Sequence, residues 1–200
     1  MALWRNNQED LTKKTGTKEK LSFSGVYEME IKEAYLSNST KSEAMAVTLT
    51  FENDEAYGRV NFWYLKGNGE PNEYAEKSLN RLLFLAKLKI EKLKQETKRV
   101  KLFSGDEVDR IFLPELHGKK VGMILEVKKE GENTNIEAKD FYDIKTGKTT
   151  DEILNKTEAE TVAFFKEKYE KEEPKKKGYP LPYETDKNII TEDDEEEFPF

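Results

Sequence analysis

Residues able to do covalent or metal chemistry are scarce in this chain of 200 residues. It has no Cys and a single His, His117. That removes thiol nucleophiles, Cys-ligated zinc, iron–sulfur clusters and disulfide scaffolds, and leaves neither a Ser-His-Asp triad nor a His-rich metal site to build. Gly147-Lys148-Thr149 is the nearest approach to a phosphate loop, but Tyr142 stands where that loop's first glycine belongs, and the segment ends a hairpin strand. Asp140 and Asp143 could share a magnesium ion, yet with 41 acidic residues such spacings are inevitable. His117, before Gly118 at a turn, reads as a surface or capping residue. The sequence therefore predicts no enzyme, no cofactor and no metal, and the chemistry left is recognition by charge and aromatic rings.

Two places could carry that recognition. The first is the C-terminus, residues 191–200, TEDDEEEFPF, with six acids and no base. Asp193, Asp194, Glu195, Glu196 and Glu197 run directly into Phe198-Pro199-Phe200. Two Phe at a free carboxylate do nothing for solubility; they suit a docking peptide whose ring enters an apolar pocket while the acids steer it to a basic rim. The second is YGRVNFWYLK, residues 57–66. With Val60, Phe62 and Tyr64 inward, Arg59, Asn61 and Trp63 point out, pairing an aromatic face with a cation as a stacking platform requires. The opposite register makes Trp63 core and buries Asn61 without an obvious partner. Tyr57, Lys66, Lys120, Lys128 and Lys139 could line the same groove. Phe141, beside Tyr142, is a further candidate, with core packing the better reading for either ring alone.

The elements that would hold these residues follow from periodicity. Leu21, Phe23, Tyr27, Met29 and Ile31 alternate with polar residues in a first strand to Tyr35; Met45 to Phe51 give a second and Tyr57 to Lys66 a third. After Pro71 the period changes. Ala75, Leu79, Leu82, Leu83, Ala86, Ile90 and Leu93 form a helical stripe to about Gln95, with Glu73 and Glu76 in its favoured first turn. A less regular segment leads to Pro114. Val121 to Val127 and Thr134 to Ile144 give the fourth and fifth strands, and Asp151 to Lys171 a helix with Val162, Phe165 and Tyr169 on one side. Three strands, a helix and two strands is the order of the OB-fold, a five-stranded β-barrel with its helix between strands 3 and 4. The expected organisation is a flexible arm (1–20), an OB-fold domain (21–150), a C-terminal helix (151–173), and a Pro/Lys-rich linker with the acidic, disordered tail (174–200).

Charge agrees with this division. The chain holds 34 basic and 41 acidic residues, a net −7; without the six tail acids the body is 34 against 35, near neutrality. Inside it, Lys87, Lys89, Lys92, Lys94, Lys98, Arg99 and Lys101 face only Glu91 and Glu96, either a phosphate- or tail-facing surface or a wet helix face. No apolar run approaches the roughly 18 residues that span a bilayer, and MALWRNNQED is no signal peptide. A soluble, cytoplasmic protein without membrane contact is expected.

At these residues the chain resembles single-stranded DNA-binding proteins. Bacterial members end in acids followed by a hydrophobic residue, Pro and Phe, as Phe198-Pro199-Phe200 does, and phage replication proteins that bind single strands end in acids and Phe. Residues 21–151, with GKKVG at Gly118 to Gly122 and DFYDIKTGKT at Asp140 to Thr149, are similar in pattern to a bacteriophage family of such proteins. The resemblance implies a protein that coats single-stranded DNA in replication, recombination and repair, in the host bacterial cytoplasm if phage-encoded. Its tail would recruit polymerase, helicase, primase or recombinase, and in the free protein would lie in the basic groove until a strand displaces it. Homo-oligomerisation is left open. The competing reading is a protein-interaction adaptor, an OB-like domain whose acidic tail mimics DNA to a basic partner.

Overall fold

The computed structural model describes residues 18–101, 105–130 and 133–172. Among them, eight strands join in one mixed sheet with three α-helices packed around it. The order is β1 (Glu19–Lys20), β2 (Gly25–Asn38), β3 (Met45–Glu52), β4 (Ala56–Leu65), α1 (Glu73–Leu85), β5 (Glu96–Lys101), β6 (Glu107–Phe112), β7 (Lys120–Glu130), β8 (Asn133–Tyr142), α2 (Thr150–Asn155) and α3 (Thr161–Glu172). The molecule is thus mainly β with a few helices. No helix among the described residues is long and apolar enough to cross a membrane.

β2 organises the sheet. Its alternation buries Met29 and Ile31 until a bulge between Ile31 and Glu33 shifts the register, and such a bulge bends a strand and increases its twist. One edge of β2 pairs with β3. The other is shared: Gly25 to Glu30 pair with β7, and Tyr35 pairs with Phe112 of β6. β4 follows on β3, β8 on β7 and β5 on β6, all antiparallel, while β1 lies parallel to β4. β4 and β8 approach each other over a common core, where the rings of Phe62 and Phe141 lie 5.9 Å apart. Gly58 permits the approach, because a Cβ there would sit 2.6 Å from the Phe51 ring and 3.1 Å from Ile136. The main core gathers Met29, Ile31, Leu49, Phe51, Phe62, Leu82, Met123 and Phe141, and burying each such side chain stabilises by about 1.5–3 kcal/mol.

A second, smaller core lies on the other side of the sheet. There Val162, Phe165 and Tyr169 of α3 pack on Val26, Ile124 and Tyr142. Gly122, directly opposite Tyr142, leaves the space its ring occupies. Glu152 fastens this helix. Thr149 caps α2 in a capping box with Glu152, whose other carboxylate oxygen accepts from the backbone N–H of Glu160 (2.9 Å) and Thr161 (2.8 Å) and from the Thr161 hydroxyl (2.7 Å). Burial works against the charged carboxylate, but these donors outweigh it and hold its pKa down to about 2.

Several expectations are corrected. The sheet has more than five strands: in the stretch expected to be irregular, Glu96–Lys101 and Glu107–Phe112 pair as the β5–β6 hairpin, and Glu19 and Lys20, assigned to the arm, form β1. The first helix ends at Leu85, not near Gln95. Lys87 takes the left-handed conformation (φ 57°), and its N–H and that of Leu88 bond back to the carbonyls of Phe84 and Leu83, a Schellman closure with Lys in the usual place of Gly. Leu88 and Leu93 still pack on the core, but from an irregular segment. The single helix expected over 151–171 is two, because Lys156 (φ 55°) closes α2 in the same way.

Candidate nucleic-acid interface

β4 builds the site by simple alternation. Gly58, Val60 and Phe62 are buried, whereas Tyr57, Arg59, Asn61 and Trp63 face outward; Trp63 is 39% exposed. The register is held from both sides. The Thr48 hydroxyl donates to Asn61 Oδ1 (3.0 Å) and shares a hydrogen bond with the Ser37 hydroxyl (2.7 Å), a polar row across β2, β3 and β4. Asn61 is therefore exposed and bonded to a buried Thr48, and the opposite register, which would bury Asn61 and Trp63, is not the one adopted. At the end of the strand, Asn72 Nδ2 donates to the Trp63 carbonyl (2.9 Å) and the Asn72 N–H to the Tyr64 carbonyl (2.8 Å). The start of α1 thus clamps the backbone that carries Trp63.

Beside these side chains lies a concavity of about 460 Å³, whose lining includes Lys20, Lys32, Glu52, Tyr57, Arg59 and Asn61. Its cations differ in kind. Lys32 bonds Glu30 (3.0 Å) and lies 3.5 Å from Glu52, which also takes Lys18 at 2.7 Å. The bonds to lysine hold the Glu30 and Glu52 carboxyls below their ordinary range and raise the Lys32 ammonium. Arg59 and Lys20, by contrast, have no side-chain partner among the described residues. An unpartnered guanidinium four residues from an open indole on the same face of one strand, about 13 Å along it, can contact a phosphate while the ring stacks a base, a stack worth roughly 1–3 kcal/mol.

The remaining candidates separate. Lys66 stands on an exposed turn, 3.8 Å from Glu70, and Lys120 is exposed at the start of β7, opposite Glu30. Lys128 and Lys139 belong to a closed quartet with Glu126 and Glu137, at 2.6 to 3.7 Å. The bond from Glu126 is the largest cause raising the Lys139 ammonium, against the opposing effect of burial. Phe141 is not a surface ring: at 1% exposure it fills the core against Phe62, so its place as a stacking candidate is corrected. Tyr142 is also buried, in the smaller core. The basic run Lys87 to Lys101 is no helix face but a loop, a short 3-10 turn and β5. His117 is exposed and its Nδ1 meets the Lys32 carbonyl. Asp193 to Phe200 lie outside the described residues.

Lys20 and Lys32 were not among the candidates. Lys32 sits on the polar side of a legible strand, but nothing in the sequence brings Lys20 beside β4. No family model matches the chain, and no curated protein matches it in sequence.

Proposed function

We propose that this protein binds single-stranded DNA largely independently of sequence, coating and protecting exposed strands in phage replication, recombination and repair, without catalysis. The observation that carries this reading is the outward face of β4, where an open Trp63, its backbone clamped by Asn72, shares one side of the strand with an unpartnered Arg59 that borders a groove with Lys20. The strand connectivity supports it. β2, β3 and β4, then α1, then β7 and β8, with β7 paired to β2 and β4 facing β8, follows the path of an OB barrel, into which β5 and β6 are an insertion. In that fold the second and third barrel strands, here β3 and β4, form the usual binding face. Recruitment of replication proteins is assigned to residues 191–200 on their sequence alone.

The deciding measurement is fluorescence titration of the full-length protein carrying Trp4→Phe, so that Trp63 reports alone, with oligo-dT at two salt concentrations. Binding should quench the emission, and log K should fall with log salt at about 0.7 for each phosphate neutralised. Absence of both quenching and a gel shift at low salt overturns the reading and leaves the adaptor.

A further inference from the structure

We propose that the β5–β6 hairpin extends this face: the Arg110 guanidinium is a second stacking plane for a base, and its charge meets a phosphate of the same strand. The inference rests on the single-stranded DNA reading and adds residues that reading does not use.

Register places them. Directly opposed residues of antiparallel strands share a face. Phe112 opposes Tyr35, Tyr35 opposes Thr48, and Thr48 opposes Asn61, so one row runs from the hairpin to the middle of β4, between Arg59 and Trp63. Arg110 lies two residues from Phe112, and Lys98 opposes Arg110, so both belong to that side. The row spans β6 to β4 in three strand steps, about 14 Å at 4.8 Å each, a reach of a few nucleotides.

Tyr35 is the telling residue. It is 5% exposed yet belongs to neither apolar core. Its cover comes from the hairpin: the Phe112 ring at 5.7 Å and the Arg110 guanidinium at 4.4 Å from the ring centroid. Arg110 is only half-buried there, and guanidinium planes that pack on a ring on one side can stack a base on the other in single-stranded recognition. Arg110 has no ion pair among the described residues, and Lys98 lies 5.8 Å from the Phe112 ring as well as 2.9 Å from Glu96. On the hairpin's opposite side, Arg99 is neutralised by Asp109 at 3.2 Å and Lys101 opposes Glu107. Lys98 is paired with Glu96 in the same way, so the positive charge left over is that of Arg110, on the side continuous with Trp63.

The test uses full-length protein, long oligo-dT and three variants: Arg110→Gln/Lys98→Gln, Arg110→Lys, and Arg59→Ala/Trp63→Ala. The hairpin double variant should bind roughly tenfold more weakly, with a salt slope flatter by about 0.7, the one phosphate that Arg110 meets, since Lys98 is already paired with Glu96. Arg110→Lys should keep the slope but not the affinity, because it keeps the charge and loses the plane. Unchanged affinity and slope in the hairpin variant, beside a wild type that binds and an Arg59/Trp63 variant that binds much more weakly, overturns the inference and spares the reading beneath it. Full affinity in Arg110→Lys overturns the stacking plane. Wild-type protein that fails to bind removes both, before any variant is compared.

Discussion

The outer side of the sheet has two halves, finished differently. Over β7, β8 and the first part of β2, α3 lays Val162, Phe165 and Tyr169 on Val26, Ile124 and Tyr142, and farther along the hairpin Lys128 and Lys139 close with Glu126 and Glu137. Over β4, β3 and the second part of β2 no helix packs among the described residues; Trp63 is open, and Arg59 and Arg110 have no carboxylates. Both halves hold aromatic rings and cations. What separates them is whether the chain supplies the partners itself, and in a chain with 38% charged residues only pairing, not counting, tells a solvated surface from a vacant one.

The largest effect should come from breaking the covered half. Glu152→Ala strands the donors of Thr149, Glu160 and Thr161, and should cost about 3 kcal/mol in urea unfolding, with oligo-dT affinity within about twofold of wild type. Acid should act on the same group. Its folded pKa lies at about 2, below the ordinary carboxylate value of 4.5, so its contribution is complete above about pH 4.5 and is lost as pH falls toward 2. A stability curve from pH 6 to 2 should therefore be flatter in Glu152→Ala than in wild type; parallel curves would show that this carboxylate does not fasten α3.

Next comes the open half. Arg59→Ala/Trp63→Ala should weaken oligo-dT binding about thirtyfold, the loss of one stack and one phosphate contact, while leaving the urea midpoint nearly unchanged because both side chains face water. Equal affinity would move the binding face elsewhere. The smallest effect sharpens the contrast: Lys128→Gln/Lys139→Gln removes two cations that are already paired, and should change affinity less than about twofold. A loss matching that of the Arg59/Trp63 variant would show that pairing is not what distinguishes the halves.

Much of the fold was legible because burial writes a period into the residues it selects. β4 alternates cleanly, and its buried Val60 and Phe62 place Arg59 and Trp63 outward. The β5–β6 hairpin was not legible because it is wet on most of both sides: ETKRVK offers only Val100 as an apolar marker. The first helix was read too long because Ile90, which is exposed, and Leu93, which reaches the core from an irregular segment, follow Ala86 in near-helical spacing, and because its stop is a left-handed Lys87, where the usual signal is Gly. Phe141 and Lys139 illustrate another limit. Two residues apart on β8, where a regular strand puts both on one side, they face a core and an ion quartet, because the register shift against Ile124 and Leu125 passes over Lys139.

The shared edge of β2 also sets a timetable. Gly25 finds its partner Leu125 a hundred residues later, which at ribosomal rates of 5–20 residues per second is about 5–20 s of synthesis. In that interval β2, β3 and β4 are able to form a meander, but the β7 side of β2 is an open strand edge beside Met29 and Ile31, of the kind that invites pairing with other chains. The nascent protein is therefore most vulnerable before residue 125 emerges, and a chain truncated ahead of β7 exposes that edge permanently.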